Sequence, residues 1–368
     1  MSDETGRGAA RRAFLDENGW SGIAPQAFPG DASTRRYFRV RDGERVAILM
    51  DAPSASETSI CPPEASPQER RRLGYNALAR LAGNNVAAFA GLAEALTQRG
   101  FSAPRIHACD LEQGLALIED LGDGLYARLI PERAEEAPLY AAAVDALAAL
   151  YRSSFPRVFG WRDGGEWTVL DYDLPAQQAE ADLFLDWYVA RRVGRDLDDQ
   201  ARADWAGLWE EALSVTDRHR PGLVLRDFHA ENLIWLPGRI ETARIGLLDF
   251  QDALFGHPAY DLVSLIEDAR RDVAPDLAKP LKDRFFEKAR LTDRAGFEAA
   301  YAAIAAQRNA KILGIFVRLA ERDAKPRYLD LLPRVARHFE RDLSHPAMAG
   351  LKRWVEAYAP SVLEEAKR

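Results

Sequence analysis

Residues 223–252 read LVLRDFHAENLIWLPGRIETARIGLLDFQD, and two carboxylates and an amide stand in them at chemically suggestive offsets. Asp227 closely follows one short apolar run, Asn232 comes five residues later, and Asp249 ends a second apolar run. Side chains of these types suit phosphoryl transfer from a nucleoside triphosphate. Carboxylate and amide oxygens are hard donors of the kind Mg²⁺ takes. Such ions neutralise the charge that develops on the transferred group. A further carboxylate can accept the proton of an attacking hydroxyl. Asp-x4-Asn alone is a weak pattern. Followed by a hairpin (LIWL, the turn PGR, then RIGLL) and by Asp-Phe, it is far more specific. The competing reading makes Asp227 and Asp249 strand-end carboxylates that cap local backbone.

The elements that must position these groups can be read from period and punctuation. Short β-prone runs lie at 26–28, 35–40 and 45–50, with Asp42-Gly43 as a hairpin turn between the last two. Residues 105–110 and 115–119 read as two more strands. Residues 53–85 form an insertion whose first part is rich in Pro, Ser and Glu and reads as a loop. A helix is expected at 69–82 and another at 86–99, stopped by Gly100. Beyond Gly124 helical patterns dominate, at 134–154, 176–193, 197–216, 259–271, 293–321 and 327–342. The fold class expected is α+β, with a small sheet-rich lobe (1–118), a linker (119–124) and a large, mainly helical lobe (125–368).

Gly122-x-Gly124-x-x-Ala127 follows a strand and precedes a helix, which matches the dinucleotide-binding fingerprint. Glu119, Asp120 and Asp123 would crowd a pyrophosphate with negative charge, and no βαβ continuation follows. The stretch reads better as a glycine-rich turn joining the two lobes.

The chain of 368 residues carries a formal charge of -8, which argues against a nucleic-acid partner. Its two cysteines, Cys61 and Cys109, lie in no metal-binding or disulfide pattern and read as free thiols. The N-terminus lacks the apolar core of a secretory signal, and no apolar run is long enough to span a membrane. A cytoplasmic protein with no membrane association is expected.

These residues resemble the aminoglycoside phosphotransferase and choline kinase families, which share the two-lobed protein-kinase-like fold. The match continues through HPAYDLVSLIED (257–268) and EDLGD (119–123). More narrowly, GDASTRRYFRV, MDAP, LRDFHAENLIWL, LLDFQDALFGHPAYDLVSL and QRNAKILGIFVRLAERD look like the bacterial cell-wall-recycling sugar kinases. Those phosphorylate the anomeric hydroxyl of N-acetylmuramic acid and N-acetylglucosamine. The resemblance covers nearly all of the chain outside 53–85.

The resemblance implies a role for each matching position. Asp227 would deprotonate the sugar hydroxyl, Asn232 and Asp249 would bind Mg²⁺, and Asp261 would brace the catalytic loop. Backbone groups of Glu119 and Leu121 would meet adenine, and the loop 30–35, with Ser33 and Thr34, would cover the phosphates of ATP. It implies no obligate protein partner. The lysine usual on the third strand is missing; Met50 stands in its place, and Arg36 is the expected substitute unless the metals carry more of the work. Gln251 replaces the glycine usual after Asp-Phe and joins the substrate candidates. Glu180 and Trp187, seven apart on one helical face, are the expected sugar wall, set against a core Trp187 and a solvated Glu180. His229 reads as structural and Asp252 as a loop bond rather than a third ligand. Arg308 stays open between facing the substrate and closing a salt bridge. Rival functions are an antibiotic, choline or other alcohol kinase of the same fold, and a catalytically silent nucleotide-binding scaffold, the latter suggested by Met50.

Overall fold

A computed structural model describes residues 2–29, 35–53, 59–132, 136–161 and 165–368; the side chains of 2–5 and 132 lie outside the described set. The expected strands of the first lobe form one five-stranded sheet. It comprises β1 (Gln26–Ala27), β2 (Arg36–Asp42), β3 (Arg45–Asp51), β4 (Ile106–Asp110) and β5 (Leu115–Glu119), in the order β1-β2-β3-β5-β4. All pairs are antiparallel, and Gly43 turns β2 into β3 with φ 60°.

Alternation splits this sheet into two buried faces. Val40, Ala47, Leu49, Leu115 and Leu117 pack on Phe14, Leu15 and Trp20, which belong to or follow a helix the sequence reading missed, α1 (Ser2–Glu17). Few apolar residues mark that helix; contact with the sheet, and Arg11 bonded at 2.7 Å to buried Asp51, fix it in place. On the other face Ile48, Met50, Ala116 and Ile118 share the main core with Phe89 and Leu92.

The insertion does not form one helix over 69–82. Gly74, at φ 101°, separates α2 (Pro67–Leu73) from α3 (Tyr75–Leu78). Ser66 and Glu69 make a reciprocal capping box at the start of α2. The segment is anchored to the larger lobe: Arg70 is wholly buried and bonds Asp173 there at 3.2 and 2.9 Å. Next comes α4 (Val86–Gln98), capped by Asn85.

The linker explains the glycine pattern. Gly122 has φ 86°, and a Cβ on Gly124 would lie 2.7 Å from the carbonyl oxygen of Trp235. Gly124 is therefore needed for close backbone approach, and its own carbonyl accepts from the Trp235 N–H at 2.7 Å. Arg39 on β2 bonds both Asp120 and Asp123, so those acids answer a guanidinium.

The larger lobe contains α5 (Tyr126–Glu132), α6 (Glu136–Arg152), the hairpin β6 (Val158–Gly160) and β7 (Glu166–Thr168), α7 (Leu174–Leu183) and α8 (Asp199–Leu213). Then come β8 (Gly222–Val224), β9 (Leu233–Trp235), β10 (Ile245–Leu247), β11 (Leu254–Gly256), α9 (Ala259–Ile266), α10 (Pro275–Lys288), α11 (Arg294–Glu321) and α12 (Leu332–Leu343). A π-helix, Phe184–Val193, continues α7 and ends at left-handed Gly194. The buried α11 packs against α7, α9 and α12 and forms the floor of the lobe.

Candidate active site

The spacing of Asp227, Asn232 and Asp249 becomes one place through a short hairpin. In the β9–β10 ladder Leu247 faces Leu233 and Ile245 faces Trp235. Beyond its end the Leu248 N–H donates to the Asn232 carbonyl at 3.0 Å. Asn232 and Asp249 are thus brought to the same edge. Asp227 joins them through its own carbonyl, which accepts from Asn232 Nδ2 at 3.0 Å and from the His229 N–H at 3.1 Å. With the amide nitrogen so engaged, the amide oxygen of Asn232 is turned to the other side.

Two residues here adopt left-handed backbone despite having side chains: Arg226 at φ 73° and Asp249 at φ 56°. Strain of this kind persists where surroundings over-determine it. For Arg226 those surroundings are visible. Asp261 on α9 accepts from the N–H of Leu225 at 2.7 Å and of Arg226 at 2.8 Å. Asp261 is buried, and burial pushes its carboxyl up to about 7, against the pull of those two N–H donors.

Asp227 is half-buried. Burial favours its neutral form, but His229, Lys311, Arg308 and Arg226 outweigh that and hold it below the ordinary carboxylate range. It is therefore ionised at neutral pH. His229 is pushed down by burial, so it is neutral there.

The cation nearest the second carboxylate is Arg35, whose Nη2 lies 2.7 Å from Asp249 Oδ1. The expected residue was its neighbour Arg36, which begins β2 and is exposed. Arg35, just before that strand, is the residue whose guanidinium reaches Asp249. Met50 lies opposite Tyr37 in the β2–β3 ladder, buried in the core. Gln251 is buried as well and donates to Asp249 Oδ1 at 3.0 Å, so it touches the site through that carboxylate. Ser33 and Thr34 lie outside the described residues.

The expected sugar wall is corrected. Glu180 has no exposed surface. It accepts from Arg226 Nη2, from Tyr172 Oη and, at 2.9 Å, from Lys311 Nζ. It is a buried counter-ion to Arg226 and Lys311 and offers no surface to a sugar. Trp187 packs on the separate helical core of α8, α11 and α12. The helix becomes a π-helix at Phe184, and its wider i→i+5 turn removes Trp187 from the face of Glu180. Arg308 closes no salt bridge among the described residues; it donates to Ser264 Oγ at 2.8 Å and lies in the field of Asp227.

At the linker the Glu119 N–H is used by the Arg105 carbonyl at 2.8 Å, and its side chain accepts from Arg239 Nη2 at 2.6 Å. Its own carbonyl and the following Leu121 lie where the sheet passes into the larger lobe. Phe250, after Asp249, stacks on Phe89 of α4 with ring centroids 5.1 Å apart, joining the metal-ligand candidate to the sheet-rich lobe.

Among the described residues no cluster of three His, Cys, Asp or Glu side chains could hold a metal by itself. The set Asp249 and Asn232 fits Mg²⁺ all the same, because that ion is commonly held by one or two protein oxygens together with substrate phosphates.

Residues 25–299 match the sequence family described as the phosphotransferase enzyme family. A protein of Caulobacter vibrioides named N-acetylmuramate/N-acetylglucosamine kinase is 45% identical, covering 98% of this chain and 99% of its own length. A protein of the same name from Pseudomonas aeruginosa is 31% identical over 88% of this chain and 85% of its own. Among solved structures, ADP-bound aminoglycoside phosphotransferase APH(2'')-Ib superposes with a TM-score of 0.51 at 16% identity, covering 89% of this chain and 98% of that one. A microcompartment-associated aminopropanol kinase gives 0.53 at 15% identity, covering 89% and 94%. The latter two establish the kinase-like fold. With residues 25–299 matched by the family and a 45% identical relative covering 98% of the chain, the chain belongs to the phosphotransferase enzyme family.

Proposed function

We propose that the protein is an ATP-dependent sugar kinase that phosphorylates the anomeric hydroxyl of N-acetylmuramic acid, N-acetylglucosamine or both, in the recycling of peptidoglycan. The observation that carries the reading is the convergence of Asp227, Asn232 and Asp249 on one hairpin edge, in a chain 45% identical to a kinase named for those sugars.

In this reading Asp227 takes the proton of the C1 hydroxyl as its oxygen bonds to the γ-phosphorus, and the bridging oxygen leaves with ADP. A hemiacetal hydroxyl is more acidic than an ordinary alcohol, so an ionised aspartate suffices as base. Asp261 holds the loop that carries the base. Asn232 and Asp249 would hold Mg²⁺, which supplies charge neutralisation at the phosphates. Arg35, rather than a lysine on β3, presents the guanidinium to the phosphate end of the cleft. The Glu119 carbonyl and the Leu121 backbone meet the adenine edge. Rate acceleration then rests on orientation and fixed charge. The unit boundaries proposed are 1–118, 119–124 and 125–368. Among the described residues no helix is long and apolar enough to cross a membrane, and a cytoplasmic setting suits a kinase that draws on ATP.

The test is phosphorus NMR of reactions containing ATP, Mg²⁺ and each sugar. A phosphate coupled to the anomeric proton is expected. Phosphate on any other hydroxyl overturns the assigned position, and turnover only with aminoglycosides or amino alcohols overturns the substrate class.

A further inference from the structure

The insertion between β3 and α4 meets the catalytic apparatus at two points. The Ala79 carbonyl accepts from Arg226 Nη1 at 3.3 Å, and Arg226 is the residue immediately before Asp227. Three residues further along the insertion, the N–H groups of Ala82 and Gly83 both point at Asp252 Oδ1, at 2.6 and 3.3 Å. Asp252 stands three residues after Asp249. One tight turn therefore grips the chain on both sides of the reaction centre.

The turn is itself held from outside. Arg80 has left-handed backbone at φ 56°, donates to the Asp171 carbonyl at 2.5 Å and pairs with Asp173 at 3.0 Å. Asp173 is also the N-cap of α7 and the partner of buried Arg70. Arg226 is almost fully buried and is bonded by Asp261 at its N–H, Glu180 at one nitrogen and Ala79 at another. Arg226 and Arg70 are buried, so neither guanidinium can exchange one of these contacts for water.

We propose that Ala79–Gly83 is a positioning element for phosphoryl transfer and that Asp252 acts in it as an acceptor of two N–H groups, not as a ligand of a metal ion. The turn sets the distance between the base-bearing loop and the Asp249 loop. That separation matters because a shift of about 1 Å at a reacting centre can cost a hundredfold in rate. The proposal rests on the kinase reading above, since it concerns the same reaction.

Asp252→Asn and Asp252→Ala separate the two roles. Asparagine keeps a carbonyl oxygen for the two N–H groups but removes the charge. Asparagine is expected to retain kcat within about threefold with an unchanged Mg²⁺ requirement, while alanine loses about ten- to a hundredfold in kcat with KM for ATP nearly constant. Hydrogen exchange gives a readout independent of turnover: the Ala82 and Gly83 amides stay protected in wild type and the asparagine variant and become labile in the alanine variant. A thermal midpoint for each variant separates loss of positioning from loss of fold. Equal damage from both substitutions with a raised Mg²⁺ requirement overturns the acceptor role. Normal kcat in the alanine variant overturns the positioning role. Failure of the wild type to phosphorylate any sugar would count against the kinase reading, while the exchange pattern would still decide whether Asp252 holds the turn.

Discussion

Arg35 Nη2 and Asp249 Oδ1 are 2.7 Å apart, although 214 positions separate the two residues in the chain. The pair joins the start of β2 to the end of the β9–β10 hairpin and, in the proposed function, puts a guanidinium at the phosphate end of the cleft. Burial opposes that charge, but Asp249, Tyr37, Asp252 and Asp227 keep Arg35 firmly protonated. Removing it should therefore weaken nucleotide binding more than the chemical step. Arg35→Met is expected to raise KM for ATP about tenfold or more, the size of one charge-assisted hydrogen bond. Arg35→Lys should recover part of this. Steady-state kinetics with varied ATP checks it; an unchanged KM in Arg35→Met would assign phosphate binding elsewhere.

Asp227→Asn removes the proton acceptor while keeping the shape of the loop. General-base catalysis is worth about a hundred- to ten-thousandfold, so kcat should fall by about a thousandfold with little change in sugar KM. Turnover at the wild-type rate would dismiss Asp227 as the base.

The convergence of Asp227, Asn232 and Asp249 was legible because its geometry is local. An apolar run, a tight turn and a second apolar run leave one way to pair, and Asp227, Asn232 and Asp249 must share its edge. Arg36 was the expected cation, whereas it is the neighbouring Arg35 that bonds Asp249. Arg35 lies just before β2 and outside the β2–β3 register, so strand alternation could not choose between the two neighbours. Glu180 and Trp187 do not share one exposed helical face, for a different reason. Their seven-residue spacing assumed an unbroken α-helix, and nothing in ADLFLDWYVARR announces the switch to a π-helix. Burial of Glu180 depends on Arg226 and Lys311, which arrive from distant parts of the chain. The N-terminal helix was missed because its apolar face is only a few residues wide and is defined by the sheet it covers.

Glu180 should behave as a counter-ion. Glu180→Ala leaves Arg226 and Lys311 buried without their shared carboxylate, and breaking a buried pair costs about 3–5 kcal/mol. Denaturant unfolding should show that loss. Sugar KM in whatever folded protein remains should stay near wild type. A selective rise in sugar KM at full stability would restore Glu180 to the sugar wall.

Asp261 predicts opposite pH trends for stability and rate. Its carboxyl is raised to about 7 by burial, while the unfolded chain has an ordinary aspartate. The folded state thus binds the extra proton. This group's contribution to stability is complete below the unfolded value and is lost as pH rises toward 7. The ionised form is the better acceptor for the Leu225 and Arg226 N–H groups, so kcat should climb through the same range. Asp261→Asn should abolish that limb of the pH–rate profile and lower kcat at least tenfold, because its amide opposes one of the two donors. A profile flat from pH 6 to 8 in the wild type would refute this.

His257 supplies an acid-side check. Burial, and then His219 beside it, push its imidazole down to about 3, so the folded protein keeps it neutral. The unfolded chain takes up that proton near pH 6.5, and stability present above this value drains as pH falls toward 3, by up to about 1.4 kcal/mol per pH unit. Histidine NMR signals followed through acid titration should show no His257 protonation above pH 4.

Arg39 clasps two carboxylates of unlike surroundings, with Asp120 largely shielded from solvent and Asp123 two-thirds exposed. Dissolved ions screen the outer bond and hardly touch the inner one. Stiffness between the sheet and the linker therefore divides into a fraction that added salt softens and a fraction it leaves intact, and nucleotide exchange rates should respond to ionic strength up to a plateau and no further.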